Sequence, residues 1–139
     1  MDDLPSRLLT RTAALAARLV TERFAEIGAR GYHYRLLTTL IEDGPASQAD
    51  LGRRTEIHFS DMVATLNELA EDGYVERRPD PADRRRNTVT VTPSGRRRAE
   101  ALAARAAEIQ EELFAPLSAA ERGELVRLLR LVSAGAAEG

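Results

Sequence analysis

The sequence predicts a mainly α fold with one small β-hairpin, an α+β arrangement forming a single domain over residues 1–139. Three observations carry that expectation. Apolar residues recur at helical spacing through most of the chain, the period changes from 3.6 to 2 just after Gly73, and an arginine-rich turn interrupts the period-2 segment. With 43% hydrophobic residues in a chain of this length, folding buries roughly two-thirds of the unfolded surface, so neither disulfides nor a structural metal is needed for a core.

From Pro5 to about Ile27, Leu8, Leu15, Leu19 and Ile27 recur near helical spacing among alanines, and Pro5 suits a first helical position; the stretch Gly28 to Gly31 closes this helix. A second helix lies in YHYRLLTTLIED, where Leu36, Leu37, Leu40 and Ile41 form one stripe and Gly44-Pro45 stops it. In SQADLGRRT, Ser47 with Asp50 three residues on resembles a capping box and gives a short helix to about Arg54. After a turn around Thr55 to Phe59, SDMVATLNELAEDG sets Met62, Leu66 and Leu69 on one face and ends at Gly73. YVERR and NTVTVT then alternate as strands do, with the polar turn RRPDPADRRRN between them.

Thr92-Pro93-Ser94 is a helix start, and Ala99, Leu102, Ala103, Ala106, Ile109 and Leu113 continue one apolar stripe for about 30 Å. Pro116 breaks it. Ser118 with Glu121 forms a further capping box, and Leu125, Leu128, Leu129 and Val132 mark a last amphipathic helix. The expected order is α-α-α-α-β-β-α-α.

The inventory argues against several chemistries. There is no cysteine, which removes thiolate catalysis, iron–sulfur clusters and cysteine-ligated zinc. All twenty basic residues are arginine, so no phosphate-loop lysine or Schiff-base lysine exists, and no glycine-rich phosphate fingerprint replaces them. His33 and His58 alone make a histidine-rich metal site unexpected; neither cofactor nor metal is anticipated. The carboxylates lie as Glu–Arg neighbours on helix surfaces, with no nucleophile–base spacing, so an enzyme is not expected. MDDLPSRLLTR opens acidic and Arg18 interrupts the apolar stretch after Ala13, so neither a signal peptide nor a membrane span is anticipated.

What remains is binding. Two short helices joined by a tight turn are a helix-turn-helix, and a β-hairpin with an arginine-rich tip follows at once. That combination grips duplex DNA, the second helix entering the major groove and the hairpin reaching the adjacent minor groove. Arg77, Arg78, Arg84, Arg85 and Arg86 against Asp80 and Asp83 give a local balance of +3 in a chain whose net charge is -2. Arginine also suits the enhanced negative potential of narrow minor grooves. Ser60, Asp61, Ala64 and Thr65 occupy the N-terminal half of the reading helix, where base edges are met, while Ser47, Gln48, Arg53 and Arg54 on the preceding helix are further DNA candidates. Residues 58–72 contain Asp61, Glu68, Glu71 and Asp72 and no arginine, so affinity has to come from Arg53, Arg54 and the hairpin. Asp61 reads equally as a base contact and as an N-terminal helix carboxylate favoured by the dipole.

These residues resemble the MarR family of bacterial transcription regulators over nearly the whole chain. DGYVERRPDPADRRRNTVTVTPSGR, from Asp72 to Arg96, is similar to the family's G-L-V-x-R, D-x-R-R and T-x-x-G-R sequence, and QADLGRRT supports it. The resemblance implies a cytoplasmic, homodimeric winged-helix protein, nucleoid-associated when bound, that reads a near-palindromic operator. Residues of about 33–92 would form the DNA-binding lobe, and about 5–27 and 93–135 the dimerisation helices. Asp83 would brace the wing and Arg84 or Arg85 enter the minor groove. Where many members show S-T-V-T-R, this chain has Ser60-Asp61-Met62-Val63-Ala64, so a common arginine contact is missing.

Dimerisation also follows from the residues themselves. The terminal helices carry long apolar, alanine-rich stripes that a small lobe cannot cover, with Leu8, Leu15, Leu113, Leu125, Leu128, Leu129 and Val132 as interface candidates. Many family members release DNA when a small aromatic or phenolic anion binds between the dimerisation helices and the lobe. Tyr32, His33, Tyr34 and Arg35, with Arg11 and Phe24, are the candidates for such a site; the alternative is that Tyr32, His33 and Tyr34 pack at the hinge or across the dimer. A thiol-based peroxide sensor is excluded by the absence of cysteine. The competing function is a winged-helix protein-interaction module without operator binding, favoured by the acidic reading helix.

Overall fold

The computed structural model describes residues 3–137. Its order is α1 (Pro5–Ala25), α2 (Gly31–Asp43), β1 (Ala46–Ser47), α3 (Gln48–Thr55), α4 (Phe59–Glu71), β2 (Val75–Pro79), β3 (Asn87–Val91), α5 (Pro93–Leu113) and α6 (Ala119–Ala137). The expected helices are all present. The sheet is larger than the expected hairpin: β1 pairs antiparallel with β3, giving three strands in the order β1-β3-β2. Two residues carry no readable period, which is why β1 is invisible in the sequence.

Local chemistry explains the boundaries. Ser47 Oγ accepts the Asp50 amide at 3.1 Å at the start of α3, but the Asp50 carboxylate turns to Arg53 instead of closing the box. Ser118 and Glu121 do close theirs: the Glu121 amide donates to Ser118 Oγ at 3.1 Å, and the Ser118 amide to Glu121 Oε1 at 2.9 Å. Gly73 adopts φ 77°, the left-handed geometry that ends α4 and turns the chain into β2. Thr92 Oγ1 donates to the Gly73 carbonyl at 2.7 Å and accepts the Gly95 amide at 3.0 Å, fastening the start of α5 to that turn.

The core sits beneath the sheet. Leu36, Leu37 and Leu40 of α2, Leu51 of α3, and Met62, Leu66 and Leu69 of α4 are buried with Val75 and Val89 of the hairpin and with Leu102 and Ile109 of α5. Each such side chain contributes about 1.5–3 kcal/mol by leaving water. The first and fifth helices are also joined by charge, since Arg23 donates to both carboxylate oxygens of Glu112 at 2.9 and 2.7 Å and Arg105 reaches Glu26 at 2.9 Å. The Arg23 hydrogen bond holds the Glu112 carboxyl below the usual carboxylate range.

α6 is different in kind. It has no buried residue, and Leu128, Leu129, Leu131 and Val132 are 45%, 39%, 60% and 62% exposed. Leu8 and Leu15 of α1 are likewise exposed, whereas Leu113 and Leu125 are half-buried. No helix among the described residues is long and apolar enough to cross a membrane.

Candidate nucleic-acid interface

α3 and α4 meet through a turn in which Glu56 adopts φ 57° and His58 caps α4, its Nδ1 accepting the Ser60 amide at 3.3 Å. Met62, Leu66 and Leu69 of α4 face the core, leaving Ser60, Ala64, Asn67 and Glu71 exposed and Asp61 half-buried in the first turn. Two sequence candidates are corrected here. Thr65 is fully buried and accepts a hydrogen bond from Arg30 Nη2 at 3.3 Å; four residues turn an α-helix through about 400°, so Thr65 lies within about 40° of Leu69, inside the core stripe. Ser47 is buried with its hydroxyl occupied by the Asp50 amide and by Arg86 Nη2. Gln48 is half-buried, and Arg53 and Arg54 are exposed, the first pairing with Asp50 and the second lying 3.6 Å from Asp43.

The wing is built around its own carboxylates. Asp83 Oδ1 accepts the Arg85 amide at 3.1 Å and Arg85 Nε at 3.2 Å, and these bonds hold the Asp83 carboxyl below its ordinary range. Asp80 Oδ1 accepts the Ala82 amide at 2.9 Å, and the Asp80 amide donates to the Arg86 carbonyl at 2.7 Å. The five wing arginines then divide by partner. Arg77 Nη1 donates to Asn67 Oδ1 at 2.7 Å, Arg78 pairs with Glu76 at 3.0 Å, and Arg86 reaches Ser47 at 3.1 Å. Arg84 is exposed with no side-chain partner among the described residues, and the Arg85 side chain is 91% exposed. The Arg77–Asn67 bond makes the outward face of α4 continuous with the wing.

A second feature flanks α2. A cleft of about 840 Å³ opens between α1, α2 and α5, lined by Phe24, Arg30, Tyr32, Tyr34, Arg35 and Ile109 among others. Arg35 lies over the Tyr32 ring at 5.5 Å, and the Phe24 and Tyr34 rings are 6.0 Å apart. Two expected members are absent. Arg11 lies nearer the N-terminal end of α1 than the first lining residue, Ala17. His33 is buried and turned the opposite way, its Nε2 meeting Glu68 Oε2 at 2.7 Å while its Nδ1 accepts the Arg30 amide at 3.3 Å.

The sequence profile of the MarR family matches residues 27–86, from the rim of this cleft to the tip of the wing. The chain belongs to the MarR family. The crystal structure of a probable transcriptional regulator from Pseudomonas aeruginosa superimposes on this MarR-family chain with a TM-score of 0.83 at 31% identity, covering 94% of this chain and 98% of that one. The chain is 34% identical over 94 residues to the HTH-type transcriptional repressor NicR of Pseudomonas putida, 68% of this chain and 60% of that protein. It spans about three-fifths of the length of the curated relatives it matches. BpsR of Bordetella bronchiseptica, studied for the regulation of its DNA binding by 6-hydroxynicotinic acid, superimposes with a TM-score of 0.81 at 28% identity over 92% of this chain and 97% of that one. The two Pseudomonas relatives are named as a transcriptional repressor and a probable transcriptional regulator; the MarR family is not a family of enzymes.

Arg30 is the residue that sequence reasoning missed. It borders the cleft, yet its Nη2 also donates to Glu68 Oε1 at 2.8 Å and to Thr65, both on the inner side of α4. Burial, the largest influence, pushes the Glu68 carboxyl up, but the His33 hydrogen bond and the Arg30 and His33 charges outweigh it and leave Glu68 below the usual range. A loop arginine and a helix glutamate 38 residues apart give no sequence signal of pairing.

Proposed function

We propose that this MarR-family protein is a homodimeric, sequence-specific double-stranded DNA-binding transcriptional regulator of the repressor type. The single observation that carries the reading is the pair Arg84 and Arg85. They project without a phosphate-like partner except the Asp83 brace, on a wing tied by Arg77 to the exposed face of α4. Such a wing neutralises phosphates beside a helix that meets base edges. The lobe of residues 33–92 would carry the reading elements. The exposed leucines of α6, together with Leu8 and Leu15, supply an apolar face whose natural cover is the same face of a second copy. A two-fold pair sets two reading helices about one DNA turn apart, roughly 34 Å, and so selects a near-palindromic operator.

The cleft is proposed as the effector site, for a small aromatic or phenolic anion. Phe24, Tyr32 and Tyr34 offer ring faces, and Arg30 and Arg35 offer charge for a carboxylate. The regulation of BpsR by a hydroxylated aromatic acid supports this choice of ligand class. Release then follows as a population shift between dimers whose lobes do and do not fit DNA.

Selection of bound duplexes from a random pool, followed by anisotropy titration, tests the reading. It predicts one recovered near-palindrome, bound by the dimer at about 10⁻⁸ M or tighter. Failure to enrich any sequence would overturn it in favour of a protein-interaction module. Part of that alternative's support is already weakened, since Glu68 spends its charge on Arg30 and His33 rather than on the outward face.

A further inference from the structure

Large exposed apolar side chains in this protein fall into two groups. Leu4, Leu8, Leu9 and Leu15 lie at or near α1, and Val126, Leu128, Leu129, Leu131 and Val132 lie on α6; between them, among the described residues, stands only Phe59. It is also the most exposed of all, at 72%. Phe59 opens α4, and the His58 cap with its bonds to the Ser60 amide and hydroxyl fixes the backbone from which the ring projects. Nothing in the fold uses this ring: it is outside the core and makes no aromatic pair among the described residues.

The rest of the outward surface of α4 is unusual for a helix that reads DNA. It offers Ser60, Ala64, Asn67 and, at its far end, Glu71, with Asp61 and Val63 half-buried and no arginine, and Asn67 is already held by Arg77. Bidentate readout of guanine by arginine is therefore unavailable from this helix. What the helix does present in its first turn is the Phe59 ring, beside exposed Ser60 and half-buried Asp61; Arg53 and Arg54 lie in the last turn of the preceding helix, and Arg77 of the wing is held against Asn67. In the major groove the one apolar group that distinguishes a base is the C5 methyl of thymine, and phenyl and alanine methyl groups are its natural contacts.

We infer that Phe59 is a specificity-determining residue, its ring packing on a thymine methyl in each half-site, so that the operator is read here by an apolar contact rather than by an arginine. The inference rests on the DNA-binding reading above. The exposed arginines of α3 and of the wing, which Arg77 ties to α4, favour a polyanion over an apolar protein surface as the occupant, and the position at the first turn of α4 places the ring at the base edges rather than at the backbone.

The test uses the full-length protein and the duplex recovered by selection. Deoxyuridine replaces thymine one symmetric pair at a time, which removes the methyl and leaves every pairing and groove hydrogen-bonding group in place. At one pair, wild type should weaken by about fifteen-fold, about four-fold per methyl for two half-sites. Phe59→Ala should bind the unmodified duplex weaker by a similar factor, should respond less than two-fold to that same uracil pair, and should keep the wild-type unfolding midpoint. A uracil effect of equal size in both proteins would overturn the inference, because the methyl would then be read by another residue. Indifference of wild type to every uracil pair would overturn it as well. A Phe59→Ala variant with unchanged DNA affinity but altered oligomeric state would assign the ring to contact between copies instead. Failure of wild type to enrich any duplex would instead be the failure of the DNA-binding reading itself.

Discussion

Arg30 and Glu68 are joined at 2.8 Å, so a residue on the rim of the cleft is fastened to the inner side of the helix proposed to read DNA. His33 holds the other carboxylate oxygen at 2.7 Å. The triad crosses from the N-terminus of α2 to the middle of α4 and satisfies polar groups that border the core.

Glu68→Gln keeps the shape and removes the charge. Both partners are partly exposed, so the expected cost is modest, about 0.5–1 kcal/mol at neutral pH. Because the folded state holds the Glu68 carboxyl below its ordinary value of 4.5, its contribution is complete above that value and fades as the pH falls through the lower, folded one. Urea unfolding of both proteins at pH 7 and near pH 3 checks this: the gap between them should narrow in acid, and a gap that widens would contradict the assignment.

Gly95 is predicted to tolerate no side chain. A Cβ there would overlap the Tyr74 carbonyl oxygen and meet Val91 Cγ2 at 2.7 Å. Backbone cannot move aside cheaply, so Gly95→Ala should cost more than about 2 kcal/mol by forcing α5 off the hairpin. A thermal midpoint within a degree or two of wild type would show that the junction is looser than its geometry.

The brace at Asp83 yields a separate expectation. Asp83→Ala removes the acceptor for the Arg85 amide and side chain and leaves the core untouched. Operator affinity should fall by about five-fold, the worth of one local ordering bond, with the unfolding midpoint unchanged. Since the Asp83 carboxyl titrates below the ordinary range, the brace should persist throughout pH 5–8. Titrations of wild type and Asp83→Ala by anisotropy across that range decide it.

Leu128 and Leu129 test the proposed pairing of copies. Replacing both with glutamate should give monomers by analytical ultracentrifugation, without loss of helix content, because both leucines are exposed within the chain. These monomers should lose the operator. A variant that remains dimeric would place the interface elsewhere.

Most of the fold was legible because its signals are local. Period, caps and prolines mark every helix, and Ser118–Glu121 behaves as the capping pattern requires. The losses have physical causes. The two-residue β1 is defined only by its partner Val89 and Thr88 on a distant strand. Thr65 reads as polar and therefore outward, yet Arg30 supplies the hydrogen bond that lets it sit in the core. Tyr32, His33 and Tyr34 look like one cluster, but successive residues on a helix diverge by 100°, and His33 leaves the cleft for Glu68. Arg30, which joins the cleft to α4, is identified only by contacts distant in sequence.

The most direct measurement is the salt dependence of operator affinity for wild type and Arg85→Ala. Six or more neutralised phosphates predict a log–log slope of about -5 or steeper for wild type, and loss of Arg85 from both copies should flatten it by one to two units, about 0.9 for each lost contact. A slope near zero in wild type, or one unchanged by the substitution, would contradict the claim that the wing exists to grip the nucleic-acid backbone.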